Sequence, residues 1–431
     1  MAEMAFFPGW SVAPFILMLL SMAILPMIVP SWWNSNRNKL LVSAVTSVPV
    51  LILVFGFHCQ PRLLAHSMKD YVSFIILLGA LFVISGGIHI RGTWAGTPLV
   101  NTLFLAAGAI LANLIGTTGA SMLLIRPYMR ANQKRRRKSH QIVFFIFVVS
   151  NVGGLLTPLG DPPLFLGFLR GVPFHWTFKL FPQWLVAVSA ILIVFNLIDQ
   201  YIFNKEDIET PGALTETVQP HRRLQIDGGM NFVYLLGVMA AAPLSSYFGW
   251  PRGIQESIMI AMALISWFRT PRTVHKANHF QFDPILEVAA LFLGIFVTMV
   301  PALEILSRKA PLWGLHHAWQ FFWLTGMLSS FLDNAPTYLT FAALASGSLG
   351  GSIENLGTLL HSALGEKLLY AVSCGAVFMG ANTYIGNGPN LMVRSIAEHA
   401  GIRMPSFFGY MAYSLSVLIP LFLVITMIFF R

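Results

Sequence analysis

The sequence predicts an all-α polytopic membrane protein built from two inverted repeats, each with a re-entrant hairpin and a broken transmembrane helix. Three observations predict it. Of the 431 residues, 56% are hydrophobic and only 10% are charged, where a soluble domain carries roughly 25% charged residues. Eight apolar segments are long enough to cross a bilayer, and four more are apolar but interrupted. The interruptions carry a motif that recurs between the two halves of the chain.

The uninterrupted spans lie near 12–30, 40–57, 71–90, 178–199, 229–248, 254–268, 284–301 and 406–430. The first, from Pro14 to Pro30, has no basic segment before it and no small-residue cleavage site after it, so it is expected to be a retained span. The interrupted segments are 98–130 around Gly116-Thr117-Thr118-Gly119, 141–171 around Thr157-Pro158-Leu159-Gly160-Asp161-Pro162-Pro163, 317–345 around Asp333-Asn334-Ala335-Pro336, and 368–400 around Tyr384-Ile385-Gly386-Asn387-Gly388-Pro389. Backbone freed at such breaks cannot face lipid, so each must be buried in protein or line a wet cavity.

Taking the first and third interrupted segments as hairpins and the second and fourth as broken helices that cross gives five crossings per half. The loops then place 18 of the 27 Lys and Arg residues on one side, among them Arg37, Lys39, Arg91, Arg126 and the basic run at 134–138. By the positive-inside rule that side is cytoplasmic. The basic run is expected to anchor the topology at anionic headgroups rather than to bind nucleic acid. The domain expectation is a first repeat over 1–202, a polar cytoplasmic linker over 203–227 and a second repeat over 228–431. Cys59 and Cys374 form no metal or disulfide pattern. Trp32, Trp33, Trp250, Trp313 and Trp319 fall near span ends, as in an aromatic belt.

The repeat can be aligned by eye. Residues 154–163 lie over 380–389 as G-x-x-T-x-x-G-[DN]-x-P, pairing Gly154 with Gly380, Thr157 with Thr383, Gly160 with Gly386 and Asp161 with Asn387. The hairpins match less closely, 109–118 over 326–335. A helix broken at the midplane presents free N–H groups at one half-helix start and free C=O groups at the other half-helix end. Gly160 and Gly386 let the backbone approach an ion, while Thr117, Thr118, Thr157, Thr383, Asn334, Asn382 and Asn387 add the oxygen donors that hard cations take. Asp161 and Asp333 are the carboxylates at the breaks. A charge at membrane depth costs at least ~2.5–3.5 kcal/mol, so function is the default reading, with helix capping as the structural alternative. These two are the candidate ligands for sodium or a similar cation. Glu287, His89, His316 and His317 fit interfacial roles better.

At its breaks the chain resembles the ion transporter superfamily of D-type sodium/proton antiporters, arsenite permeases, citrate transporters and divalent anion/sodium symporters. The likeness is carried by Leu332-Asp333-Asn334-Ala335-Pro336-Thr337, by Asn151-Val152-Gly153-Gly154 with Thr157-Pro158-Leu159-Gly160-Asp161, and by Ala381-Asn382-Thr383 with Gly386-Asn387-Gly388-Pro389-Asn390. The resemblance implies hairpin tips and broken helices enclosing cation and substrate sites, driven by a sodium or proton gradient. The dicarboxylate branch has Ser-Asn-Thr at both tips, whereas this chain has Gly116-Thr117-Thr118 and Asp333-Asn334-Ala335. Sodium/proton antiport is therefore the first expectation, and a citrate-type transporter of a small carboxylate coupled to a cation is the second. An intramembrane aspartyl protease also pairs two buried aspartates, but Pro158 replaces the first glycine of its GxGD element and no Tyr-Asp partner is present. No enzyme activity and no cofactor beyond transported sodium and protons are expected. The expected setting is a bacterial inner membrane, with lipid and small ions as partners and a homodimer compatible with the pattern.

Overall fold

The computed structural model describes residues 7–57, 61–92, 95–209, 225–278 and 280–431. Cys59 and the stretch 210–224 of the expected linker lie outside the described residues. Each uninterrupted span is a helix, from Ala13–Ile28 to Phe407–Phe429. Among the described residues, nine helical stretches are long and apolar enough to cross a membrane, and the chain is a multi-pass integral membrane protein. The strands His89–Arg91 and Gln225–Asp227 pair as an antiparallel ribbon, tying the loop after the third span to the far end of the linker.

The element Pro98–Ala131 has 34 residues, about 51 Å if straight, too long for a bilayer core of about 30 Å. It is folded at Gly116, where φ is 76° and ψ is 156°, a conformation open to glycine because it has no Cβ. Contacts across the fold are symmetric about that residue. Asn101 and Asn132 exchange amide hydrogen bonds of 2.9 and 2.8 Å, Phe104 meets Tyr128 at 5.2 Å between rings, and Gly108 lies against Leu124. The two arms are therefore antiparallel and the element is a hairpin. The second hairpin consists of Ala318–Ser329 and Asn334–Ser348 joined through Ser330-Phe331-Leu332-Asp333.

The broken helices lie between and beside these hairpins. The first comprises Ser139–Val148, a 3-10 turn at Val152–Leu156 and, after the break, Pro162–Leu169. The second comprises Ala363–Met379, Gly380–Asn382 and Gly388–His399. The stretch Ser139–Leu156 is 89% buried against 22% for Phe407–Phe429, which places the broken helix at the centre and the last helix at the rim. Phe74 stacks on Phe292 at 4.9 Å and Phe147 meets Tyr410 at 5.6 Å, so aromatic rings of both halves build one apolar core.

Contacts sort the loops into two ends. At one end Lys39 pairs with Glu287 at 2.8 Å, Arg130 donates to the Ile90 carbonyl at 2.7 Å and the Ser139 hydroxyl donates to the Arg403 carbonyl at 2.7 Å. At the other, Lys179 pairs with Glu366 at 2.7 Å, Arg170 with Asp70 at 3.2 Å, and the Leu356 N–H donates to the Arg170 carbonyl at 2.7 Å. These groups follow the two sides drawn from charge. The first hairpin opens at the former end and the second at the latter.

Three local expectations are corrected. Arg135, read as part of a headgroup anchor, is 3% exposed and is held by Asp199 at 2.8 Å and Glu206 at 2.7 Å. That pairing also explains why the span expected to stop at 199 runs on as Phe181–Glu209: its acidic face is buried against the basic run. Trp33, assigned to the aromatic belt, is 5% exposed and packs under Lys39.

Candidate functional site

The hairpin tips meet at the first break. Beyond Gly116 the Thr117 N–H donates to the Gly160 carbonyl at 2.8 Å, joining the first tip to the first broken helix. The Thr117 hydroxyl then donates to Asp161 Oδ1 at 2.8 Å. From the second hairpin, Asn334 donates its amide to Asp161 Oδ2. Asn387, of the second broken helix, donates to Asp161 Oδ1 at 3.5 Å, and to the Ser150 carbonyl and Asn151 Oδ1 at 3.1 and 3.2 Å. All four broken segments thus converge on one carboxylate that is 1% exposed.

Capping separates the two aspartates. Asp333 accepts the Ala335 N–H at 3.0 Å and caps Asn334–Ser348. Asp161 occupies the N-cap position of Pro162–Leu169 without a side-chain capping bond, so both of its oxygens are turned to the neighbouring tips. The buried aspartates Asp70 and Asp199 are each paired with an arginine, Arg170 and Arg135. Asp161 has only neutral donors among the described residues. Four helix starts point at it: the return arm from Thr117, Pro162–Leu169, Asn334–Ser348 and Gly388–His399. Each helix start carries roughly +0.5 of a charge, which makes a carboxylate tolerable here.

Contacts at the two breaks match each other. The Thr157 hydroxyl donates to the Asn113 carbonyl at 2.6 Å, and the Thr383 hydroxyl donates to the Ser330 carbonyl; Asn113 and Ser330 are aligned residues. A Cβ on Gly160 would fall 2.2 Å from the Gly154 carbonyl oxygen, and one on Gly386 would fall 2.6 Å from that of Gly380. Thr157 and Thr383 thus hold a hairpin tip to its broken helix, and the paired glycines allow the backbone to cross itself.

A cavity of about 630 Å³ runs from Glu287, Gln281 and Ser395 at the first end inward to the tips. Thr118, Thr117, Gly160, Asp161, Asp333 and Asn387 line it, on otherwise largely apolar walls. Thr157, Asn334, Asn382, Thr383 and Gly386 lie outside the lining. Asn334 Oδ1 and Asn382 Oδ1 are nonetheless buried and have no hydrogen-bond partner among the described residues, and Asn382 donates to the Ser330 hydroxyl at 2.9 Å. Among the described residues no group of three His, Cys, Asp or Glu side chains converges. The donors at the tips are carboxylate, hydroxyl and amide oxygens, which suit a hard cation.

Three asparagines that support the breaks were not among the candidate site residues, although Asn151 and Asn390 belong to the motifs that carry the family likeness. Asn113 donates to the Ala109 and Gly153 carbonyls at 2.9 and 2.7 Å and accepts the Leu156 N–H at 2.7 Å. Asn151 donates to the Ile146 carbonyl and to Asn390 Oδ1, both at 2.8 Å, and Asn390 satisfies the Gly380 and Thr383 carbonyls at 2.8 and 2.9 Å. Two donors and an acceptor on one side chain match the groups a broken helix frees. The available signal was an amide within two turns of each break.

Residues 4–430 match a family model described as "Putative citrate transport". An uncharacterized transporter of Synechocystis sp. is 24% identical over 311 residues, covering 64% of this chain and 65% of that relative, just under two thirds of its length. Uncharacterized transporters of Mycobacterium bovis and Mycobacterium tuberculosis are each 22% identical over 398 residues, covering 85% of this chain and 88% of theirs.

Proposed function

Because the chain belongs to this citrate-transport family, we propose that it is a secondary active transporter of the bacterial plasma membrane that exchanges sodium, or a similar cation, for protons at Asp161. The observation that carries the reading is the missing counter-ion: of the buried aspartates Asp70, Asp161 and Asp199, only Asp161 has no arginine among the described residues. A buried charge without a partner is costly, and either a proton or a cation relieves the cost. Proton and cation then compete for the same oxygens, which yields exchange once access alternates. Asp333, Thr117, Thr118 and the free oxygen of Asn334 complete the ligand set. The opposed hairpins and the matching contacts support two inverted repeats meeting at this point, and the cavity, which reaches the tips from the positively charged end, corresponds to an inward-open state.

A second reading is favoured by the family match and by the cavity, which at about 630 Å³ far exceeds a bare ion: the cation at Asp161 drives transport of a small carboxylate. Proteoliposomes loaded with a pH dye and given sodium, lithium, potassium and citrate in turn separate the two. Sodium-evoked proton flux without citrate supports exchange. Flux that requires citrate selects the second reading, and no response to any addition rejects both.

A further inference from the structure

The return arm of the first hairpin places Thr118, Gly119, Met122 and Arg126 on the cavity wall. Residues 118, 122 and 126 follow a spacing of four and share one helix face, with Arg126 about 12 Å beyond Thr118 along the axis. The cavity thus has carboxylates at its inner end, Asp161 and Asp333, and a guanidinium further out. The other carboxylate on its wall, Glu287, is held by Lys39 at 2.8 Å. Nearby basic residues at this end are engaged: Arg130 on the Ile90 carbonyl at 2.7 Å, Arg135 on Asp199 and Glu206, Arg91 on Asp227 at 2.5 Å, and Arg394 on Glu398 at 2.9 Å. Arg126 has neither a hydrogen-bonding nor an ion-pairing partner among the described residues, and Arg130, one turn on, adds like charge. A guanidinium in the wall of a largely apolar cavity does nothing for a lone transported cation and repels it. It does suit a carboxylate or other oxyanion, which its planar fork meets with two parallel hydrogen bonds.

We propose that Arg126 is the anion-holding residue of the cavity, gripping a carboxylate of a small organic acid while the accompanying cation sits at Asp161. The inference rests on the second reading above and deepens it by assigning the residue that selects the anion. The bland alternative, a charge that only sets topology, predicts no effect on binding.

The test is calorimetric titration of the full chain in nanodiscs with citrate, succinate and inorganic phosphate, each with and without sodium, for wild type, Arg126→Gln and Arg126→Lys. The expected result is anion binding by wild type that weakens about tenfold to a hundredfold in Arg126→Gln. Arg126→Lys should be intermediate, because it keeps the charge and loses the fork. Sodium binding measured without anion should not weaken in either variant, a pattern that general damage to the fold would not produce. If Arg126→Gln does not yield folded protein, Arg126→Lys carries the test, and anion affinity equal to wild type overturns the proposal. Anion binding in Arg126→Gln within about twofold of wild type overturns the role of Arg126 and leaves carboxylate transport standing. Wild type that binds none of the three anions overturns both.

Discussion

Replacing Asp161 with asparagine removes a charge while nearly preserving shape. The side chain accepts from Thr117 at 2.8 Å and from Asn334, with a longer contact to Asn387 at 3.5 Å. An asparagine oriented with its oxygen toward Asn334 keeps that bond, and its NH2 can donate to the Thr117 hydroxyl, which turns to accept. The stability cost is then the difference between charge-assisted and neutral hydrogen bonds, about 1 kcal/mol. The cation loses far more. At ~4 Å and an effective dielectric constant of ~20, two unit charges attract by about 4 kcal/mol, or nearly three orders of magnitude in affinity. Asp161→Asn should therefore give folded protein with sodium affinity weakened by up to about 1,000-fold and no sodium-driven proton flux. Sodium titration in nanodiscs and dye-loaded proteoliposomes measure the two quantities. Sodium affinity within tenfold of wild type, together with retained flux, would refute the reasoning.

Asp333→Asn should reduce flux less than Asp161→Asn, because Asp333 is half-buried and its capping bond to the Ala335 N–H survives in an amide; equal loss in both variants would contradict this order. Thr157→Val and Thr383→Val each strip the donor from a buried carbonyl, of Asn113 and Ser330, and should cost about 1–3 kcal/mol in unfolding measurements while weakening sodium binding. Unchanged affinity in both would remove these hydroxyls from the site. Gly160→Ala should abolish folded protein, since its Cβ would lie 2.2 Å from a backbone oxygen, whereas Gly388→Ala, with nothing within 4 Å, should be silent in expression and thermal melting. In a background lacking Cys59 and Cys374, Thr118→Cys should react with an impermeant thiol reagent from the same side as Ser139→Cys. Labelling of both from the extracellular side would reverse the orientation.

The breaks were legible because glycine, proline and asparagine at membrane depth have no reading that lipid tolerates. That is why Gly116, Gly160, Asp161, Asp333 and Asn387 stand out in the sequence. Their grouping was only partly legible. Sequence shows what a polar residue costs in a membrane, but not which residue relieves it. Asp70 meets Arg170 across 100 positions and Arg135 meets Asp199 across 64, and neither pairing leaves a periodic or local trace. Trp33 fits an interfacial pattern by position and is instead part of a cavity wall. The roles of Asn113 and Asn390 were illegible for a related reason: their amides donate to backbone carbonyls, which every residue supplies.

The carboxylate at the first break takes its amide from Asn334, 173 residues further along the chain. At a synthesis rate of ~5–20 residues per second, that separation is about 9–35 s during which the amino-terminal half already exists and its partner does not. Of the donors to Asp161 among the described residues, Thr117 alone is made before that interval. The nascent protein therefore passes through a stage in which its most exacting residue is half attended. Substitutions at Asn334 should act first on yield in the cell, and only in the surviving molecules on transport.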